Sequence, residues 1–339
     1  MVEIRQWAEI KNKYQGGALL LGNGASVAVH SDFSYASLHK AAEARGRIST
    51  TVAGVFSAFG TDDFELVLRR LWQASLVNQT LSVEPGGKVD LAYHQVRDAL
   101  IATVRDVHVP YESASRHFEA IYTFMQEFKT VLSLNYDLIV YWAMMASRLT
   151  LDTWFKDCFQ QGGAFREDWE ALRKPYGSAT GATLVFYPHG NLITARLDDY
   201  TERKLSTAGG DANNLLERII ERWKDGSAVP LFVCEGTSDH KKQAIGSSAY
   251  LTQVFRDVMP NIGPSLVIYG WKISNQDQHI LQQINRAKKV VRIAVSVFQE
   301  NQMEAQRAEA TLAALAEWEV EFFDAESPGC WIHPKVEVA

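Results

Sequence analysis

A chain of 339 residues with 47% apolar side chains can bury one large core or two modest ones, which excludes an extensively disordered protein. Its net charge of -6 argues against a dedicated nucleic-acid binder, because such proteins carry a basic surplus or stripe. The three cysteines, Cys158, Cys234 and Cys330, are odd in number and widely spaced, so they support neither a disulfide framework nor a paired-cysteine zinc site, and no metal is expected. Residues 1–14 intersperse Glu3, Arg5, Glu9, Lys11 and Lys13 with apolar residues, unlike a secretory signal, and no apolar run approaches a bilayer span. A reducing cytoplasm, with no membrane contact, is the expected compartment.

In chain order, residues 1–14 read as a short amphipathic helix, and residues 17–21 as a buried first strand that breaks at Leu21-Gly22-Asn23-Gly24-Ala25-Ser26. From 34 to 129 glycines thin out and apolar residues recur at three-to-four spacing, as in Phe64, Val67, Leu68 and Leu71, or Phe118, Ile121, Tyr122 and Met125. This spacing predicts a large helical insertion. Residues 130–134 return to strand character and end in Asn135-Tyr136-Asp137, before a helix over 138–149. The stretch 150–182 is irregular and reads as a lid or small subdomain. Apolar, β-branched runs follow at 184–187, 230–234, 266–269, 290–297 and 319–323, separated by helical patterns at 213–223, 238–258, 276–287 and 302–318. Continuous apolar strands alternating with helices predict an α/β fold: a doubly wound, mainly parallel, Rossmann-like sheet formed by 1–33 and 130–339, interrupted by the insertion 34–129.

Polar signals follow the strands. Gly22 and Gly24 would permit a tight turn and close approach of a diphosphate, with Ser26 as an extra donor, although a glycine turn without a ligand fits equally well. The third glycine of the dinucleotide fingerprint is absent, as is a Walker-type lysine. Asn135 could hold a water or a carbonyl. Asp137 could anchor a ribose hydroxyl or cap the following helix. His189, between Pro188 and Gly190, is the candidate general base, because imidazole titrates near neutrality, and its alternative is a histidine hydrogen-bonded at a strand end. His279, early in a helix, reads as packing or capping more than chemistry. Ser274 and Asp277 lie in the turn after a strand and could contact an adenosine. Glu235-Gly236-Thr237-Ser238 with Lys241 and Lys242 forms a further turn that could hold phosphate or simply cap a helix.

This ordered set resembles the sirtuin-like superfamily, in particular its zinc-free bacterial branch associated with NAD cleavage and anti-phage defence. Gly22-Asn23-Gly24-Ala25-Ser26 matches that family's first glycine turn, Asn135-Tyr136-Asp137 its Asn-x-Asp signature, and His189-Gly190 its His-Gly. The segment from Gly270 to His279 looks like the branch's Gly-x-Ser-x-x-Asp-x-His motif, with looser spacing because Ser274 lies four residues from the glycine. The resemblance spans residues 17–298 and lies in the order of the motifs. It implies a sirtuin-like fold with Gly22, Asn23, Gly24 and Ser26 along the diphosphate and ribose of NAD, and with Gly270, Ser274 and Asp277 near its adenosine. It also implies Asn135 positioning water or nicotinamide, Asp137 supporting that loop, and His189 as base.

Only Cys234 lies between Gly190 and Gly270, so the four-cysteine zinc module of sirtuin deacylases is excluded. That departure favours hydrolysis of NAD, as substrate, to nicotinamide and ADP-ribose by a defence NADase. The alternatives are a sensor of NAD or an ADP-ribose derivative acting through a partner, and an ADP-ribosyl transferase. A homo-oligomer joined through 34–129 is expected, and a separate regulatory or ATPase partner protein is a further expectation.

Overall fold

The structure is a computed structural model and describes residues 1–34, 37–83, 87–148, 154–197, 199–205, 212–233 and 237–336. Its strands, numbered in chain order, are β1 (Ile4–Arg5), β2 (Ala18–Leu21), β3 (Thr130–Ser133), β4 (Phe155–Lys156), β5 (Thr183–Phe186), β6 (Gly190–Leu197), β7 (Glu202–Lys204), β8 (Ala228–Phe232), β9 (Ser265–Tyr269), β10 (Arg292–Val297) and β11 (Glu319–Asp324). Every residue of β2, β3, β5 and β9 is buried. A strand that is apolar along its whole length needs cover on both faces, which crossover helices supply when neighbouring strands run parallel. The main sheet accordingly has the order β1-β11-β10-β9-β2-β3-β5-β4, and each of its pairs is parallel. The fold is α/β, with a mostly parallel eight-stranded sheet flanked by helices, in keeping with the doubly wound expectation.

Between helix Asn23–Val29 and β3 the chain forms the helices Leu38–Ala44, Thr50–Phe59, Phe64–Leu81, Gly87–Val107, Tyr111–Ser115 and Phe118–Met125. The starts of the first three follow side-chain chemistry: Ser37, Ser49 and Asp63 each accept a backbone N–H of the turn they open. None of the helices among the described residues is long and apolar enough to cross a membrane.

Three elements differ from the sequence expectation. Residues 1–14 split into β1, a helix over Trp7–Ile10 and a 3-10 turn over Lys11–Lys13, because Ile4 and Arg5 pair with Phe322 and Phe323 at the sheet edge. The helix expected over 238–258 breaks after Ser238–Gly246, where Ser248 caps a new helix, Ala249–Gln253, that runs into one π turn. The third is a separate antiparallel sheet, β7-β6-β8, so the run at 230–234 leaves the parallel sheet. β6 has no continuous apolar signature because Asn191, Thr194 and Arg196 interrupt it. All three are nevertheless buried and hydrogen-bonded internally; Thr194 Oγ1, for example, donates to the Leu231 carbonyl at 2.6 Å, and Arg196 donates to Glu202 at 2.9 Å.

Within the irregular stretch, β4 extends the main sheet beyond β5, and Trp169–Arg173 forms a 3-10 turn. The start of that stretch, 150–153, lies outside the described residues.

Glu65, on helix Phe64–Leu81, is buried with Arg69 and Arg196 about 4 Å from its Oε1. Burial outweighs those two cations and raises its pKa from 4.5 to about 7. A carboxyl whose folded pKa lies above its unfolded value destabilises the fold once both states ionise. Its cost grows as pH rises from 4.5 to 7 and is fully present above that window. Glu65→Gln is therefore expected to be more stable than the wild type at pH 8, by up to about 3 kcal/mol, with the gain gone near pH 4. Urea unfolding at the two pH values checks this, and an equal effect at both would refute the assignment.

Candidate functional site

From β2 the chain steps to β3 and β5 on one side, while β9, β10 and β11 fill the other, so the winding reverses between β2 and β9. Ligands of open α/β sheets bind outside the carboxyl ends of strands at such a reversal. The turns that follow β9, β2, β3 and β5 carry Gly270–His279, Gly22–Ser26, Asn135–Asp137 and His189–Gly190. The fold brings these four turns to one edge of the sheet.

A polar knot joins the middle turns. Ser26, on helix Asn23–Val29, donates its hydroxyl to Asp137 Oδ2 and accepts from Asn135 Nδ2 at 2.8 Å, while the same Nδ2 donates to the Gly22 carbonyl at 3.0 Å. Asp137 Oδ1 accepts from the backbone N–H of Ile139, the first residue of helix Ile139–Arg148, at 2.9 Å. Burial raises the pKa of Asp137, against the bonds from Ser26 and Ile139. Asn191 ties in the next turn: its Nδ2 donates to the Asp137 carbonyl, and the Leu192 N–H donates to Tyr136 O at 2.8 Å. From the helical segment, His108 Nε2 accepts the Leu138 N–H at 3.1 Å and Nδ1 donates to Val109 O at 3.0 Å, with its pKa lowered by burial to about 4.

The outer pair of turns is packed backbone to backbone. The Gly24 N–H donates to Gly270 O at 2.7 Å and the Gly22 N–H to Tyr269 O at 2.9 Å. A Cβ on Gly22 would lie 2.4 Å from the Trp271 Cα, and one on Gly270, whose φ is +65°, would lie 2.3 Å from the Ala25 nitrogen. Glycine is required here by the approach of two turns, a use different from the diphosphate contact the sequence suggests. Asn23 and Gly24 remain exposed, and Asn23 Nδ2 donates to Phe33 O at 3.1 Å. On the inner side, Trp331 Nε1 donates to Ala25 O at 2.8 Å, fastening residue 331 to the same helix.

Beside this knot lies a buried pair of imidazoles. His189 Nε2 and His279 Nε2 are 2.8 Å apart with their rings stacked at 25°. Gly190, at φ +74°, turns the chain directly after His189, and a Cβ there would meet Leu231 O at 2.1 Å. His279 Nδ1 lies 3.2 Å from Ser238 Oγ, which also accepts the His279 backbone N–H at 3.0 Å. Asp277 accepts from Lys241 Nζ at 2.7 Å and from Trp271 Nε1 at 3.2 Å. Burial, then Lys241 and His279, hold the His189 pKa well below 6.5. Burial likewise lowers that of His279 to about 4. Burial opposes the Asp277 carboxylate, but His189, Lys241 and Trp271 outweigh it and leave its pKa lowered. Both rings are thus neutral at pH 7, beside a compensated ion pair. Such a group can accept a proton and exclude bulk water. One nitrogen from each histidine and one oxygen of Asp277 all lie within 4.8 Å of one another, a spacing that could hold a metal ion.

The chain belongs to the family described as a domain of unknown function (DUF4917), which it matches over residues 19–331. No curated protein matches it.

Of the residues singled out in the sequence, Asn135, Asp137 and Ser26 meet in one knot, and His189, His279 and Asp277 each bring a polar atom within 4.8 Å of the other two. Ser274 contributes its carbonyl to the Asp277 N–H at 3.1 Å. In the turn weighed as phosphate-holding or capping, Thr237 caps the following helix, and Ser238 and Lys241 bond His279 and Asp277, while Glu235 and Gly236 lie outside the described residues, as does Cys234. The sequence reading missed the partnership of His279 and the bridging role of Asn191. The signals were present, as His279 stands two residues after Asp277 and Asn191 two after His189, but a contact between turns 90 residues apart leaves no local pattern.

Gly270→Ala is expected to cost about 2–4 kcal/mol, from left-handed strain plus the clash with Ala25. Gly226→Ala, also at positive φ but with open space around its Cβ, serves as the control and should cost only about 1–2 kcal/mol. Equal losses in thermal or urea unfolding would show that close packing of the two turns does not matter.

Proposed function

We propose that this protein is a metal-independent NAD glycohydrolase that cleaves the nicotinamide N-glycosidic bond to release nicotinamide and ADP-ribose. The observation that supports this reading is the convergence, at the carboxyl edge of a parallel sheet, of the Asn-x-Asp and His-Gly turns with a neutral, buried imidazole. Cleavage of this bond develops an oxocarbenium-like ribose, and nicotinamide leaves without protonation because it is already cationic in NAD. The chain must therefore enclose the ribose, orient a water and remove its proton. His189 takes that proton. Asn135 has its Nδ2 committed to Gly22 and Ser26, so its contact with water or substrate falls to Oδ1. Asp137 and Ser26 act one step back, holding Asn135. The resemblance to defence NADases extends the same proposal to a role in anti-phage defence.

A second reading is an NAD sensor or partner-gated enzyme. One observation favours it: the Gly24 N–H is already donated to Gly270 O, so a diphosphate seated between those two turns would have to part them.

His189→Ala is expected to lower kcat for nicotinamide release by ~10²–10⁴-fold with the fold retained, and Asn135→Ala to lower it in the same direction. Wild-type activity should hold at pH 7 and fall only well below pH 6.5, as His189 becomes protonated. Release of nicotinamide and ADP-ribose, followed at several protein concentrations, checks both statements. Saturable NAD binding with no turnover would favour the sensor, and full activity in both variants would remove the site assignment.

A further inference from the structure

We propose that His279, held by Ser238, is the positioning residue that sets the tautomer of His189, so that His189 carries its proton on Nδ1 and presents its lone pair on Nε2. This inference rests on the hydrolase reading only for its catalytic consequence. The tautomers themselves follow from the hydrogen bonds around Ser238 and the two rings. Ser238 Oγ accepts the His279 backbone N–H, and its own hydroxyl hydrogen is then directed to His279 Nδ1. With Nδ1 an acceptor, the neutral His279 ring carries its hydrogen on Nε2. That N–H points at His189 Nε2, 2.8 Å away, which must therefore be the acceptor. The opposite arrangement would give Ser238 Oγ two incoming donors and leave its hydroxyl hydrogen unused.

The charges and rings around the pair are consistent with two neutral imidazoles. Lys241 and Lys242 disfavour protonation of His279, Asp277 favours it less strongly than burial opposes it, and Phe255 covers the ring at a centroid distance of 6.0 Å. The same surroundings argue against a metal as the reason for the cluster. Both Asp277 oxygens are taken, by Lys241 and by Trp271. Two imidazole nitrogens bound to one tetrahedral zinc would stand roughly 3.3 Å apart, further than the hydrogen-bonded pair found here.

In the reaction, the incoming water replaces the His279 N–H as donor to His189 Nε2. Its O–H bond breaks as the Nε2–H bond forms, its oxygen bonds to the ribose anomeric carbon, and the C–N electron pair leaves with nicotinamide. His189 becomes an imidazolium and later returns its proton to solvent. Water is the only co-reactant.

The test is long-range ¹H–¹⁵N NMR on the full chain with labelled histidine, with His189→Gln and His279→Gln spectra assigning the two rings. The expected wild-type result is a proton on Nδ1 of His189 and on Nε2 of His279. Ser238→Ala is expected to release both rings into tautomer mixtures. A wild-type His189 protonated on Nε2, or a tautomer unaffected by Ser238→Ala, would overturn the proposal. So would one equivalent of zinc bound by the wild type and lost in either histidine variant.

The activity arm uses nicotinamide release. His279→Leu should lower kcat about tenfold with KM little changed, whereas His279→Gln, whose amide can still donate to His189, should recover most of it. Equal losses in the two variants would reduce His279 to a packing residue. If the wild type releases no nicotinamide, the hydrolase reading falls, and the tautomers alone decide the role of His279.

Discussion

The hydroxyl of Ser26 is the hub on which the carboxyl edge of the sheet depends. It joins Asn135 and Asp137, and through them the turns after β2 and β3 share one hydrogen-bonded unit. A buried carboxylate, amide and hydroxyl are each expensive to leave unpaired, and the knot satisfies them against one another. Asn191 extends the unit to the His189 turn, and His108 anchors it to the helical segment between β2 and β3. That segment is therefore part of the support of the site, since one of its histidines accepts the Leu138 N–H, directly after Asp137.

The imidazole pair belongs to a different electrostatic regime from the knot. Around Ser26 the chain uses neutral and charge-assisted bonds to hold backbone in place. Around His189 it places an ammonium and a carboxylate against each other and keeps the two neighbouring rings uncharged. Burial keeps both imidazoles neutral at pH 7, with their lone pairs unprotonated, and makes each a weaker base because charging it in place is costly.

Much of the architecture was legible because the central strands are apolar along their whole length, a signal that needs no partner to be read. β2, β3, β5, β9, β10 and β11 all fall within a few residues of their expected positions, as do the helices Leu215–Lys224 and Gln278–Arg286. β6 was not legible. Its Asn191, Thr194 and Arg196 look like loop residues until the groups that satisfy them are known, and those lie on Leu231, Glu202 and the turn after β3. The glycines illustrate the same limit from the other direction. Gly22 and Gly24 read as a tight turn, with or without a diphosphate against it, and only the fold reveals the backbone of Gly270 and Trp271 packed against them. His189 could be picked out by its neighbours Pro188 and Gly190, whereas His279 gains its meaning from a ring 90 positions away.

The bond from Trp331 Nε1 to Ala25 O links residues 306 positions apart across the site's first turn. Its consequence concerns the order of assembly during synthesis. The helix after the glycine turn leaves the ribosome early, yet its buried anchor arrives only when residue 331 has emerged, and β1 likewise waits for its partner β11. Domains acquire their packed form as units once their long-range contacts can close. The helix after the glycine turn and the β1 edge of the sheet thus reach their final packing only once the last strand and residue 331 are made.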